Sequence, residues 1–149
     1  MDFEPLRAGL EQAVPFNQHL GLEVTEVALG RGVVRLPDDP NLRNHTGTHH
    51  ASALFALGQA AAGAACAAAF VRDLPELELL PQASEITYKK VSRGPIVATG
   101  VLGADPGQLL ADLGRAGCVE FAVDVSAADG AGDTVAEMQV NWLVRRKES

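Results

Sequence analysis

"NHTGTHHASALFALGQAAAGAACAAAF", Asn44 to Phe70, decides how this chain folds. It holds His45, His49 and His50, three of the four histidines, and no charged residue occurs from Ala51 to Val71. Alanine dominates, and about twenty residues of such sequence outlast any ordinary strand. The stretch therefore predicts a helix of roughly five turns over residues 48–71. Arg72-Asp73-Leu74-Pro75 ends it.

Length alone would let this helix cross a membrane. Alanine and glycine carry little transfer free energy, however, and Ser52 and Gln59 interrupt the run. No basic cluster flanks it. The expectation is a buried core helix, small or apolar on every side. Gly58 and Gly63 each lower helix propensity by about 1 kcal/mol relative to alanine. They fit where another element approaches the helix closely.

The flanking segments read as strands. Upstream, Phe3, Leu6 and Leu10 mark a short amphipathic N-terminal helix within residues 1–15, ended by Pro15. "LEVTEVAL" and "RGVVRL" flank Gly30 as a hairpin, and "PDDPNLRN" is an ordered loop. Downstream, "SEITYKKV" and "PIVATGVL" predict a second strand pair around Arg93-Gly94-Pro95, and "DPGQLLADLGRAG" a turn with a little helix. The clearest alternation comes last. Val119, Phe121, Val123 and Val125 share one face against Glu120 and Asp124, and Ala136, Met138, Val140, Trp142 and Val144 share one against Glu137, Gln139 and Asn141. Such alternation means a sheet with one buried face. One domain over 1–149 is expected, with residues 84–144 as a four-strand segment. The order of elements predicts an α+β fold, an antiparallel sheet covered by the long helix.

Composition narrows the function. The chain has 149 residues, is 47% hydrophobic and carries net charge −7, which argues against a uniformly basic nucleic-acid surface. Cys66 and Cys118 have no metal or disulfide spacing and read as buried free thiols. A reduced, cytoplasmic setting is expected, as the early acidic "MDFEPLRAGLEQ" does not resemble a secretory signal. Arg145, Arg146 and Lys147 read as a solvated tail.

Chemistry concentrates at the front of the helix. Gly47, Thr48 and Ser52 are turn or cap types. Unpaired backbone N–H groups there form a positive pole suited to an oxyanion or carbonyl oxygen, and Asn44 and three histidines crowd it.

These residues resemble the hotdog-fold acyl-CoA thioesterases of the phenylacetic-acid-degradation type, from roughly His19 to the C-terminus. In that family an Asn precedes a His-Gly-Gly turn by six positions, matched by Asn44 and His50, and an Asp or Glu follows the His by nine. "ALFAL", Ala53 to Leu57, matches the helix opening; "ITY", Ile86 to Tyr88, and Arg93-Gly94 match the third strand and its turn. The resemblance implies a curved sheet wrapped around the alanine-rich helix. It also implies a site shared across a homodimer or dimer of dimers, where a partner carboxylate activates water or attacks the carbonyl. Here the carboxylate position holds Gln59, and the two glycines are Ala51 and Ser52. The polar residue of some relatives falls near Pro81, with Gln82 and Ser84 beside it.

A neutral amide positions water but is no base. The expected catalytic set is Asn44, His50 and Gln59, with oxyanion or substrate contacts from Ser52 and Ala53 amides and His49. Lys89, Lys90 and Arg93 are expected to meet coenzyme A phosphates, Arg43 being another candidate. The partner is an acyl-CoA or acyl-carrier thioester, with coenzyme A entering as substrate; no resident cofactor, metal, nucleic acid or membrane span is expected. Three functions compete: thioester hydrolysis, acyl-thioester binding without catalysis, and, ranked last, hydratase or dehydratase chemistry. The last needs a carboxylate at the helix start, and no Asp or Glu lies between Pro40 and Arg72.

Overall fold

The computed structural model describes residues 1–148. Two short helices, α1 (Glu4–Ala13) and α2 (Pro15–His19), precede the hairpin β1 (Glu23–Ala28) and β2 (Arg31–Leu36). The long helix α3 spans Ala51–Ala69, followed by β3 (Leu77–Tyr88), β4 (Ile96–Leu102), α4 (Pro106–Ala116), β5 (Cys118–Ala128) and β6 (Thr134–Arg146). All six strands form one antiparallel sheet in the order β1-β2-β4-β5-β6-β3.

The sheet wraps α3, whose apolar side chains form its core. Ala61, Ala62, Ala65, Cys66 and Ala68 are wholly buried. The helix is long and apolar enough to span a membrane, but most of its length is buried inside the fold, as befits a core helix. Gly32 and Gly100 face each other across β2 and β4. A Cβ on Gly32 would lie 2.8 Å from the Ala61 carbonyl oxygen and 2.5 Å from Ala64 Cβ. One on Gly100 would lie 2.7 Å from the same carbonyl. Sheet and helix thus meet backbone to backbone. Gly58 makes similar room on the β6 side, where Met138 Sδ fills the space a side chain would need.

Several elements depart from the sequence reading. Pro15 does not lead straight into a strand; it opens α2, since proline suits a first helical turn. The segment expected to be mainly a turn is an eleven-residue helix, α4, N-capped by Asp105, closed by Gly117 at φ +78° and anchored through Leu109 and Leu113. β3 begins at Leu77 and pairs with β6, while β4 lies between β2 and β5, so β3 and β4 are not partners. A register shift between Pro81 and Ala83 interrupts β3. Arg145 and Arg146 belong to β6 rather than to a tail, and pair with Glu78 at 2.7 Å and Glu76 at 3.6 Å. Cys66 is buried, and burial pushes its thiol well above the usual range. Cys118, at the start of β5, is exposed, contrary to the expectation of a buried thiol.

Gly100→Ala should destabilise the fold by about 1–3 kcal/mol, because the intruding atom is backbone and cannot swing aside. Gly114→Ala, on the open side of α4 with nothing within 4 Å, should be neutral or stabilise by up to about 1 kcal/mol. Urea denaturation of the two variants measures the contrast.

Candidate active site

The loop before α3 is closed by its own hydrogen bonds. Asn44 N–H donates to Thr48 O at 2.8 Å, and His50 N–H to Leu42 O at 3.0 Å. The Asn44 side-chain oxygen accepts from the backbone N–H of Thr46 and Thr48 at 3.0 and 3.1 Å. Its amide donates to Thr48 Oγ1 at 2.9 Å and, at 3.4 Å, to His49 O. Gly47, at φ +78°, turns the chain. Asn44 therefore shapes the loop, its side chain being committed within it.

The adjacent histidines point apart. His49 is buried; its backbone N–H donates to Ser92 O at 3.1 Å, and its Nε2–H donates to Gly94 O. It fastens the loop to the turn between β3 and β4. His50 is exposed and caps α3, its Nδ1 accepting from Ser52 N–H at 2.9 Å. That bond fixes the neutral tautomer as Nε2–H, which leaves a donor at the outer edge of the ring.

The helix-front amides divide unequally. Ser52 N–H goes to His50 Nδ1, while Ala53 and Leu54 N–H go to His50 O at 3.0 and 3.3 Å. Among the described residues, Ala51 N–H has no partner. The donor left for a ligand is thus Ala51, one residue before the expected Ser52 and Ala53. Tyr88, at the end of β3, stands beside it and donates from its hydroxyl to Ala51 O at 3.2 Å.

An apolar cavity of about 800 Å³ runs along the outer face of α3, from Ser52 past Gln59 and Gly63 to Ala67. Small residues make its floor. Leu10 of α1, Val14 between the two helices and Phe16 of α2 form one wall, and Leu79, Tyr88 and Trp142 line the sheet side. Gln59 is half-buried in this cavity, and its side chain has no hydrogen-bond partner among the described residues. The sequence reading missed Tyr88 and Trp142 as cavity residues. Each was visible only as a strand residue, and the folded sheet is what brings them to α3.

The basic residues are not equivalent. Lys90 Nζ lies 3.1 Å from Asp129 and 3.0 Å from Asp133. Those carboxylates raise the Lys90 pKa, and Lys90 in turn lowers that of Asp129. Lys89 lies 3.8 Å from Glu137. Arg93 is exposed and makes no ion pair among the described residues. It borders a small cavity of about 210 Å³ with His49 and Arg43, the latter 3.0 Å from Asp38. The structure therefore leaves Arg93 available and engages Lys90 elsewhere. Among the described residues no three His, Cys, Asp or Glu side chains converge as metal ligands.

A six-stranded antiparallel sheet curled around one long helix, whose front opens on an apolar cavity, defines a hotdog-fold, thioesterase-like structure. The chain belongs to the family described as "Domain of unknown function (DUF4442)", matched over residues 4–144. It is similar to a Pseudomonas aeruginosa protein of unknown function described as a probable thioesterase, at 25% identity and TM-score 0.85, over 99% of this chain and 97% of the other. The fold is shared with the E. coli PaaI protein from the phenylacetic acid degradation operon, at 17% identity and TM-score 0.74, over 97% and 93% of the two chains. It is shared too with a mutant of a Staphylococcus aureus thioesterase enzyme, at 14% identity and TM-score 0.74, over 89% and 99%. Among curated protein sequences, none matches the chain.

His50→Ala should cost about 0.5–2 kcal/mol through loss of the cap, and His50→Asn should recover most of it. Thermal unfolding of the pair separates capping from any role in turnover.

Proposed function

We propose that this protein hydrolyses acyl thioesters, acyl-CoA foremost, at the front of α3. The carrying observation is the apolar cavity that starts at Ser52 and Tyr88, beside the helix front whose Ala51 N–H has no partner among the described residues, and holds the unpaired side-chain amide of Gln59. Ala51 N–H and the helix pole would stabilise the oxyanion of the tetrahedral intermediate, and His50 Nε2–H would add a donor beside them. Gln59 would hold the attacking water without acting as base.

On this reading the site takes residues from two copies. Ala51 and Gln59 are eight residues apart on α3, about 12 Å along its axis, beyond what one glutamine side chain spans. A carbonyl held by Ala51 of one copy would meet Gln59 of another. The edge strand β3, twelve residues long and paired only with β6, supports this reading, since such an edge is a template for pairing. A homodimer, or a dimer of dimers, is therefore part of the proposal. Arg93, with Arg43 across the small cavity, is the proposed contact for coenzyme A phosphates. The free thiols Cys66 and Cys118 favour a cytoplasmic setting.

A second reading draws on Gln59 itself. Among the described residues no Asp or Glu lines the cavity, so a non-catalytic acyl-CoA or acyl-carrier binding protein would have the same architecture. Thiol release from a panel of acyl-CoAs decides between them. Hydrolysis by the wild type, raised about 10²–10⁴-fold in Gln59→Glu by a restored base, is the expected result. Measurable binding with no thiol release from either protein would overturn the enzyme reading in favour of the second.

A further inference from the structure

The cavity along α3 has a direction, and β3 shows it. Tyr88, at the end of β3, donates to Ala51 O at the helix front. Earlier in the strand Pro81 pairs with Trp142, whose ring edge stands at Gly63: a Cβ there would be 3.7 Å from Cη2. Strand and helix therefore pass each other in opposite directions. Leu79, still earlier in β3, lies beyond Gly63 at the far end, and Leu74, in the turn after α3, lines the same end.

Polarity follows that direction. Of the polar side chains in the lining, Ser52 and Tyr88 stand at the front and Gln59 midway. Asn17 O accepts from Leu22 N–H beside Gly21, which packs on Pro37 in the loop that leads to the helix front. Beyond Gln59, Ala60, Gly63, Ala67, Leu74 and Leu79 carry no polar side-chain atom. The one polar atom of the Trp142 ring, Nε1, is itself buried. The far end thus offers carbon alone, and an oxygen carried there would lose its water without gaining a partner.

We infer that this end of the cavity takes the tail of an unsubstituted straight acyl chain of about ten carbons, with Ala60 and Leu79 setting its length. The inference rests on the acyl-thioester reading, in which the reacting carbonyl lies beside Gln59. From there the cavity leaves two ways, and a hydrocarbon tail takes the apolar one. Gln59 to Ala67 is about 12 Å along the helix axis. Carbon–carbon bonds of about 1.5 Å meeting at about 111° advance about 1.25 Å each, so about ten of them span that distance. A phenyl ring on a single methylene reaches about half as far and leaves Leu79 untouched. Ala60 is half-buried in the floor directly past Gln59, and Leu79 is half-buried at the end. A change at either alters the space a tail can fill.

The test is a series of straight-chain acyl-CoAs, butanoyl to hexadecanoyl, with phenylacetyl-CoA beside them. Thiol release gives KM, and the fluorescence of Trp142, the only tryptophan, gives Kd for any acyl-CoA bound without turnover. Each added carbon should lower KM or Kd about fourfold up to about ten carbons, after which the curve levels. Ala60→Leu should move the turning point down to about four carbons, the length of one helical turn. Leu79→Ala should move it up by about two carbons, the space its side chain vacates. Opposite shifts on one readout separate chain measurement from damage to the fold, which would weaken all lengths alike, and either variant suffices if the other does not fold. A KM or Kd indifferent to chain length, a preference for phenylacetyl-CoA, or a turning point that no folded variant moves overturns the inference and leaves the thioester reading standing. If no acyl-CoA is bound or hydrolysed, both fall.

Discussion

Everything in this fold depends on how closely the sheet approaches the helix. Gly32 and Gly100 sit opposite each other on β2 and β4, and the Ala61 backbone of α3 rests where their side chains would be. Protein interiors are packed densely enough that even one methyl group has no room at such a contact. The alanines of α3 follow from the same constraint. A helix rimmed with leucines would stand further off, and the curl of six strands around it would open.

The constraint also shapes the site. A thin helix lets the sheet close around one side and leaves a shallow face of Ala56, Ala60, Gly63 and Ala67 as the floor of the cavity. The N-terminal helices complete the enclosure, with Arg7 tying α1 to β1 through a 2.8 Å bond to Val24 O. At the front of α3 the loop closes on itself, so the helix pole is presented without help from a ligand. Such preorganisation is the usual source of electrostatic catalysis, because donors already in place need no rearrangement as charge develops.

Much of this was legible in the sequence, for local reasons. The alanine run could only be a helix, and the alternation of β5 and β6 announced their buried face. What escaped was non-local or masked. The glycines in "DPGQLLADLGRAG" suggested a turn, although Leu109 and Leu113, four apart, already marked the buried face of α4. The first half of β3 was hidden by Pro81 and by the register shift beside it. No pattern within β3 could say that its partner is β6. At the site, the sequence singled out Asn44, His49, His50 and Gln59 but not how their bonds are spent. The Asn44 amide closes the loop, His49 ties it down and His50 caps the helix, so that Ala51, rather than Ser52 or Ala53, keeps an open amide. Lys89 and Lys90 were grouped with Arg93 by proximity in sequence, whereas Lys90 turns toward the acids of the β5–β6 connection.

The two cysteines give the molecule an internal clock. Cys118 stands in solvent and Cys66 lies wholly enclosed, its thiol held protonated by burial. An alkylating reagent meets the first at once. It reaches the second only when the alanine rod parts from the strands around it, so the lag between the two modifications times the breathing of the core.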